Sequence, residues 1–317
     1  MEPLTGSLSD TVKVICTDAE TQATHAPVEE FSRHGVMPYP ECPRRCDVIC
    51  AALERVPWTD FAQPVRQGDE ALGTVHDADY VDFLRSAHSS WTTAGGDGDL
   101  VASLFCDVGG RAPTAAAVAI GYYGSDTTPI TPGTWRATRA AAAYPLCRPP
   151  GHHAPRDRFG GYCYLNHVAI VDYHHGNGTQ QIFYRHGDVL FVSLHADPEW
   201  EYPLFWGRAD ETGGGDGLGT TLNLPLPTGI DDATYLRHLD TALERVRAFA
   251  PRHLVVSAGF DTWKDDPLGT FRLTADGIGA IGAALADLAL PTVIVQEGGY
   301  ALRALGDLAM RFLRPFS

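Results

Sequence analysis

Two histidines in tandem, His152 and His153, sit in the stretch RPPGHHAPRDRFGGYCYLN (148–166), which follows neither a helical nor a strand period. A little further on, Asp172 and His174 stand two apart in VDYHHGNG, so that at a strand end their side chains share a face. With Asp261 of GFDTW they make a set of two carboxylates and one imidazole, leaving positions open for water and substrate. Oxygen and imidazole donors without thiolate suit zinc, and also iron(II) or cobalt(II). Beside a metal that lowers the pKa of its bound water, His152 and His153 would move protons, first from the water and later to a departing amine. Each imidazole needs an orienting partner, and Asn177 in HHGNG suits His153. Tyr300, which follows two glycines in QEGGY, has a hydroxyl that could be donated to an oxyanion. Any one of these residues alone is more often a helix cap or a satisfied core histidine. As a set on separate strand ends they are better explained by chemistry.

The elements that must position them are short apolar runs: VKVIC (12–16), AYPLC (143–147), VAIVDY (168–173), VLFVSL (189–194), HLVVSA (253–258) and TVIVQ (292–296). Most are continuous rather than alternating, the pattern of parallel strands covered on both faces. Between them, 231–250 reads as a helix opened by acidic caps and closed before Pro251, and 274–290 as another closed by Pro291. In open parallel sheets the ligand site lies beyond the carboxyl ends of the strands. Here the double-histidine loop, DYHHGNG, SLHADP, GFDTW and QEGGY each follow such a run and reach one edge.

Composition narrows the class. The 317 residues, 44% hydrophobic and 20% charged, carry no repeat or interdomain linker and predict one α/β domain over 1–317. The first apolar run is short, contains Lys13 and follows a polar SLSD, unlike a signal peptide, and no run approaches the roughly 18 apolar residues of a membrane span. A cytoplasmic protein that binds no membrane is the expectation. A net charge of −15 without clustered Lys and Arg argues against nucleic acid as a partner and favours cationic ligands. The odd count of 7 cysteines predicts reduced thiols. Cys42, Cys46 and Cys50 recur every fourth residue in ECPRRCDVIC, a spacing that could hold a metal on one helix face but equally describes a half-buried helix start.

The stretches CRPPGHHAPRDRFGGYCYLN, VDYHHGNGTQ, VSLHADP, GFDTWKDDPLGTFRLT and VQEGGYAL resemble the histone deacetylase superfamily, closest to its bacterial acetylpolyamine amidohydrolase branch. YPECPRR (39–45), HDADYVDFL (76–84) and TPITPGTW (128–135) extend the resemblance over nearly the whole chain. It implies an arginase/deacetylase-like fold, an open parallel sheet with helices on both faces and the active site at the C-terminal strand ends. By match, Asp172, His174 and Asp261 become metal ligands, His152 and His153 the tandem acid/base pair, and Tyr300 the carbonyl-polarising residue. Gly161, Tyr162 and Tyr202 match walls of the family's substrate tunnel, and Leu268 matches a rim position where it supplies no gatekeeping acid. A structural potassium ion is implied at Asp172, His174, Ser193 and Leu194, and a homodimer formed through 89–111.

The chain departs from the family in one region. Where members place an Asp that orients the first tandem histidine, this chain has Ile170, and the segments near 136–143 and 167–171 are shortened. Either stretches of helix and strand are missing from the sequence, or the protein dispenses with them. Losing a central strand and its covering helix would exceed the roughly 5 to 15 kcal/mol of a domain's net stability, which favours the first. The resulting expectation is a metal-dependent amidohydrolase that deacetylates small cationic amines, with acetylpolyamines ahead of acetyl-lysine side chains. A pocket that binds metal without turnover and an arginase-like ureohydrolase are the rivals; the latter needs a second metal and more Asp ligands.

Overall fold

The computed structural model describes residues 11–32, 35–62, 68–106, 112–141, 146, 148–166 and 172–317. In chain order the strands are β1 (Val12–Ile15), β2 (Glu29–Ser32), β3 (Gly35–Pro38), β4 (Thr59–Ala62), β5 (Phe191–Ala196), β6 (Thr221–Leu226), β7 (Leu254–Ala258) and β8 (Thr292–Gln296). The helices are α1 (Ala19–Ala23), α2 (Arg44–Leu53), α3 (Ala78–Thr93), α4 (Ala116–Tyr123), α5 (Thr134–Ala141), α6 (Asn177–Phe183), α7 (Asp232–Phe249), α8 (Ala275–Ala286) and α9 (Leu302–Leu313).

Three ladders are parallel: β1 with β4, β5 with β6, and β7 with β8, in registers such as Ser193 opposite Asn223 and Ser257 opposite Val295. Parallel partners require a crossover: α1 and α2 lie in the connection from β1 to β4 and α8 in that from β7 to β8, while β5 and β6 are joined by 197–220 without an α-helix. β2 and β3 form an antiparallel hairpin. Leu146 bridges Cys16 in parallel, in line with the expected run at 143–147, the rest of which lies outside the described residues. The run at 168–173 lies largely outside them too, Ile170 included, and its last residues, Asp172 and Tyr173, lie in a bend.

Local chemistry explains where the helices begin and end. Asp231 caps α7 by accepting the Thr234 N–H at 2.9 Å, and Ala250 closes the helix in the left-handed region at φ 54° before Pro251. Thr274 caps α8 in the same way through the Gly277 N–H, and that helix ends at Ala286, short of the predicted Leu290. On α7 the buried residues Tyr235, Leu239, Ala242 and Leu243 follow the helical period and join a core with Leu194, Leu226, Val256, Ile278, Leu305 and Phe312. Burying a side chain such as Leu239 is worth about 1.5 to 3 kcal/mol. A second cluster joins Phe159, Tyr164 and Leu165 of the double-histidine loop to Tyr80, Leu84 and Ile120. The core therefore backs both the strands and the loop that lies over their ends.

Candidate active site

β7 and β8 end side by side at Ala258 and Gln296. The turns that follow carry Asp261 and Tyr300 to the same edge as Asp172 and His174. Donor atoms of Asp172, His174 and Asp261 all lie within 4.8 Å of one another. His174 Nδ1 is 3.2 Å from Asp261 Oδ2 and 3.5 Å from Asp172 Oδ1, while the N–H groups of Tyr173 and Gly298 fix the carboxylates by donating to Asp261 and Asp172. Two glycines make the room: a Cβ at Gly259 would stand 1.9 Å from Asp172 Oδ2, and one at Gly298 2.0 Å from Asp261 Oδ2. Burial and the neighbouring charge of Asp172 push Asp261 up to about 7. Two buried carboxylates that resist joint ionisation, with an imidazole beside them, fit a divalent cation.

The tandem histidines lie next to this set. The rings of His152 and His153 are 3.9 Å apart, and His153 is 6.0 Å from His174. His153 Nδ1 meets Asn177 Oδ1 at 2.7 Å, the partnership expected from the sequence. Burial, reinforced by His152 and His174, lowers His153 well below the ordinary imidazole range, and burial brings His152 down to about 4. Both rings are therefore neutral near pH 7. No hydrogen bond to the His152 imidazole occurs among the described residues.

A cleft of about 390 Å³ reaches these groups, and its lining includes His152, His153, Gly161, Tyr162, His174, Tyr202, Leu268 and Tyr300. Tyr202 packs edge-on to His153 at 4.8 Å, and Tyr162 to Tyr300 at 6.0 Å. Gly161 has φ +57°, and a Cβ there would meet His153 Cδ2 at 2.4 Å, so a side chain would displace the histidine. Leu268 stands half-buried at the cleft. Three acids also line it: Glu30, Asp126 and Glu201. Glu30 Oε2 accepts the Tyr162 hydroxyl at 2.6 Å, and Asp126 Oδ2 accepts the Gly161 N–H and the Tyr202 hydroxyl at 2.6 and 3.0 Å.

Behind the loops lies a buried charge cluster. Arg148, which opens the double-histidine loop, holds Glu41 through Nε at 2.8 Å and Nη2 at 2.5 Å and also donates to the carbonyls of Gln22, His25 and Glu41. Arg45 donates at 3.0 Å to Glu41 Oε1, the oxygen that Arg148 Nε also holds, donates to the carbonyls of Glu297 and Gly299, and lies 4.6 Å over the Tyr300 ring. Glu297 then accepts the Gly151 N–H at 2.7 Å and the Ser257 hydroxyl at 2.9 Å. Asp266 accepts the N–H groups of Leu268, Tyr300 and Ala301, tying the rim to the Tyr300 turn. From the sequence alone Glu41, Arg45, Arg148, Glu201, Asp266 and Glu297 lie inside recognisable motifs but have no evident role, and Glu30 and Asp126 lie outside them. The only signal was a charged residue inside an otherwise chemical motif.

Ser193 and Leu194 lie on β5, whose Ala196 N–H donates to the Tyr173 carbonyl at 2.8 Å and so ties that strand to the segment between Asp172 and His174. Ser193 Oγ also meets His195 Nδ1 at 2.9 Å. Among the described residues Cys42, Cys46 and Cys50 do not converge as a metal set. A second cavity, about 400 Å³, lies between β1, β8, α2 and α9 with a mostly apolar lining and no acid/base set.

Comparison with known proteins shows the family and the fold. The model of the histone deacetylase domain matches residues 39–315. Acetylpolyamine amidohydrolase 1 of Pseudomonas aeruginosa is 42% identical over 87% of this chain and 91% of its own length. Acetylpolyamine amidohydrolase of Mycoplana ramosa is 39% identical over 89% and 93%. The crystal structure of the acetylpolyamine aminohydrolase from Burkholderia pseudomallei superposes with a TM-score of 0.90 at 35% identity, covering 96% of this chain and 98% of that one.

Proposed function

The chain belongs to the histone deacetylase family, whose members hydrolyse amide bonds, and we propose that it deacetylates small cationic amines, acetylpolyamines above all. The observation that carries this reading is the cleft itself, which joins the Asp172, His174 and Asp261 set to an acid-lined wall of Glu30, Asp126 and Glu201. An acetylated polyamine is neutral at the acetamide and cationic along its chain, which matches that polarity. The names of the relatives in Pseudomonas and Mycoplana support it.

Asp172, His174 and Asp261 would hold a divalent metal, zinc in our reading, with iron(II) or cobalt(II) suited to the same donors. Such an ion supplies Lewis acidity toward the acetyl carbonyl and a water acidic enough to attack near neutral pH. The chain's own residues do the rest. His153, neutral through burial, directs Nε2 lone-pair basicity at the water while Asn177 holds Nδ1. Tyr300, whose pKa burial raises far above its ordinary value, stays protonated and donates to the carbonyl oxygen as charge develops there. A tandem histidine that has taken up the proton returns it to the departing amine. Tyr162 and Tyr202 confine the slender substrate, and Gly161 lets the loop close against His153.

The proposal includes a structural potassium ion at Asp172, His174, Ser193 and Leu194. It also includes a homodimer through 89–111, supported by the exposed Leu104 and Phe105; residues 107–111 lie outside the described ones. A catalytically impaired metal-binding homologue is a second reading, favoured by Ile170, which stands where the family places the Asp that orients the first tandem histidine. Acetate release from an acetylated diamine and from an acetyl-lysine peptide, before and after a chelator, decides among them. Chelator-sensitive turnover that is faster on the diamine is expected. Preference for the peptide moves the chain toward protein substrates, and metal binding without turnover establishes the second reading.

A further inference from the structure

The cysteines on α2 have a partner that their own spacing did not reveal. Cys50 faces the end of β1, where its Sγ lies 2.9 Å from the Sγ of Cys16, 34 residues earlier in the chain. A movement of roughly 1 Å separates this pair from an S–S bond of about 2.05 Å. Both side chains are only partly buried, so a small oxidant reaches them, whereas Cys46, one turn back on the helix, is sealed in the core at 1% exposure. The two sulfurs are also unequal. Either thiol can be the donor in their mutual contact, but Cys16 Sγ in addition accepts the Gln22 Nε2 N–H at 3.4 Å, a contact that stabilises its thiolate. Cys16 is thereby the readier thiolate.

We propose that Cys16 and Cys50 are an oxidative modification site, a dithiol that a peroxide closes to a disulfide joining β1 to α2. The Cys16 thiolate attacks one oxygen of hydrogen peroxide, the O–O bond breaks, and hydroxide leaves to be protonated, so that Cys16 becomes a sulfenic acid. Cys50 then attacks that sulfur, the S–O bond breaks, and water departs with the Cys50 proton. Overall two thiols lose two electrons and two protons, and one peroxide becomes two waters. α2 is the helix from which Arg45 reaches the carbonyls of Glu297 and Gly299 and covers Tyr300, so the bond fixes the element that supports the Tyr300 turn.

The test exposes the purified, reduced full-length chain to stoichiometric hydrogen peroxide, alkylates the remaining thiols and maps the peptides by mass spectrometry without reductant. The expected result is a linked pair containing Cys16 and Cys50, two hydrogens lighter than the reduced peptides and released by dithiothreitol, with the exposed Cys106 still alkylated. Melting of the oxidised chain shifts upward by several degrees and returns on reduction. In C50S the link disappears and Cys16 is trapped as a sulfenic acid by dimedone. Recovery of alkylated Cys16 and Cys50 from peroxide-treated wild type, or a link from Cys16 to a different cysteine, overturns the proposal even if the variant fails to fold.

Discussion

Two clusters of buried charge sit within the same end of the sheet and solve opposite problems. At the floor of the cleft, Asp172 and Asp261 are almost fully buried with a single imidazole, His174, between them. Behind the loops, Glu41 is equally buried but is flanked by Arg45 and Arg148, and Arg148 spends its N–H groups on one carboxylate and three carbonyls. The first cluster is short of positive charge, and the second satisfies itself. A buried charge is tolerated only when paired or ligated. The incomplete cluster therefore points to a ligand and the complete one to a structural clamp on the loops that carry His152, His153 and Tyr300.

The largest effect should come from the floor. Asp261→Asn removes a charge and one of the proposed metal ligands, and acetate release should fall by about 10³-fold or more, on the scale of the several kcal/mol a Lewis-acid metal supplies. In metal-free protein the same change should leave the melting temperature unchanged or raise it, because it relieves repulsion between two buried carboxylates. Calorimetry of the metal-free variant reads this directly. A fall of many degrees would mean that the floor is a clamp too, and the contrast between the clusters would collapse.

Glu41→Gln probes the other side. It strands Arg45 and Arg148 in the interior, and breaking a buried pair costs about 3 to 5 kcal/mol. Urea unfolding should show this loss, and zinc affinity measured on the folded fraction should change little. A cost below about 1 kcal/mol would show that the backbone carbonyls alone hold the arginines.

The contrast also explains what could be read from the sequence. Asp172, His174, Asp261, His153 with Asn177, and Tyr300 were legible because each follows an apolar run and carries a side chain with no reason to be there otherwise. The clamp was not: Glu41 meets Arg148 107 residues away, and Arg45 reaches the Gly299 carbonyl across 254, distances over which residue type says nothing about pairing. β6 escaped notice because Pro225 interrupts its pattern, a residue tolerated where a strand edge does not need the missing N–H. Glu30 lies on a four-residue strand of a short hairpin, whose place over the cleft depends on tertiary packing alone.

A third way to satisfy a buried group is to keep it neutral, as His76 shows. Its Nε2 accepts the Asn166 N–H at 3.0 Å, and Nδ1 meets the Arg156 carbonyl at 3.3 Å, so protonation would break the Asn166 bond. Burial lowers its pKa from 6.5 to about 4. Because the unfolded chain binds this proton more readily, stability is fully present above pH 6.5 and is lost as pH falls from 6.5 toward 4, by up to about 3 kcal/mol. Urea melts between pH 7.5 and 4.5 should show the decline, and His76→Gln should make it shallower by that amount, the rest belonging to other buried histidines such as His152. An equally steep decline in the variant would assign the effect to other buried histidines such as His25.

The smallest effect belongs to the acids of the cleft, which are held by neutral hydroxyl and N–H donors and have no cationic partner among the ion pairs of the described residues. Glu30→Gln keeps an oxygen for the Tyr162 hydroxyl and removes only the charge. A partly exposed ion pair is worth about 1 kcal/mol at most, so KM for an acetylated diamine should rise by about fivefold with kcat nearly unchanged. An acetylated monoamine, which has no second ammonium, should show no change, and the difference between the two substrates should shrink as salt screens the pair. Equal losses on both substrates would make Glu30 a wall of the cleft held through Tyr162, which would place it with the clamp rather than with the charges left open for a ligand.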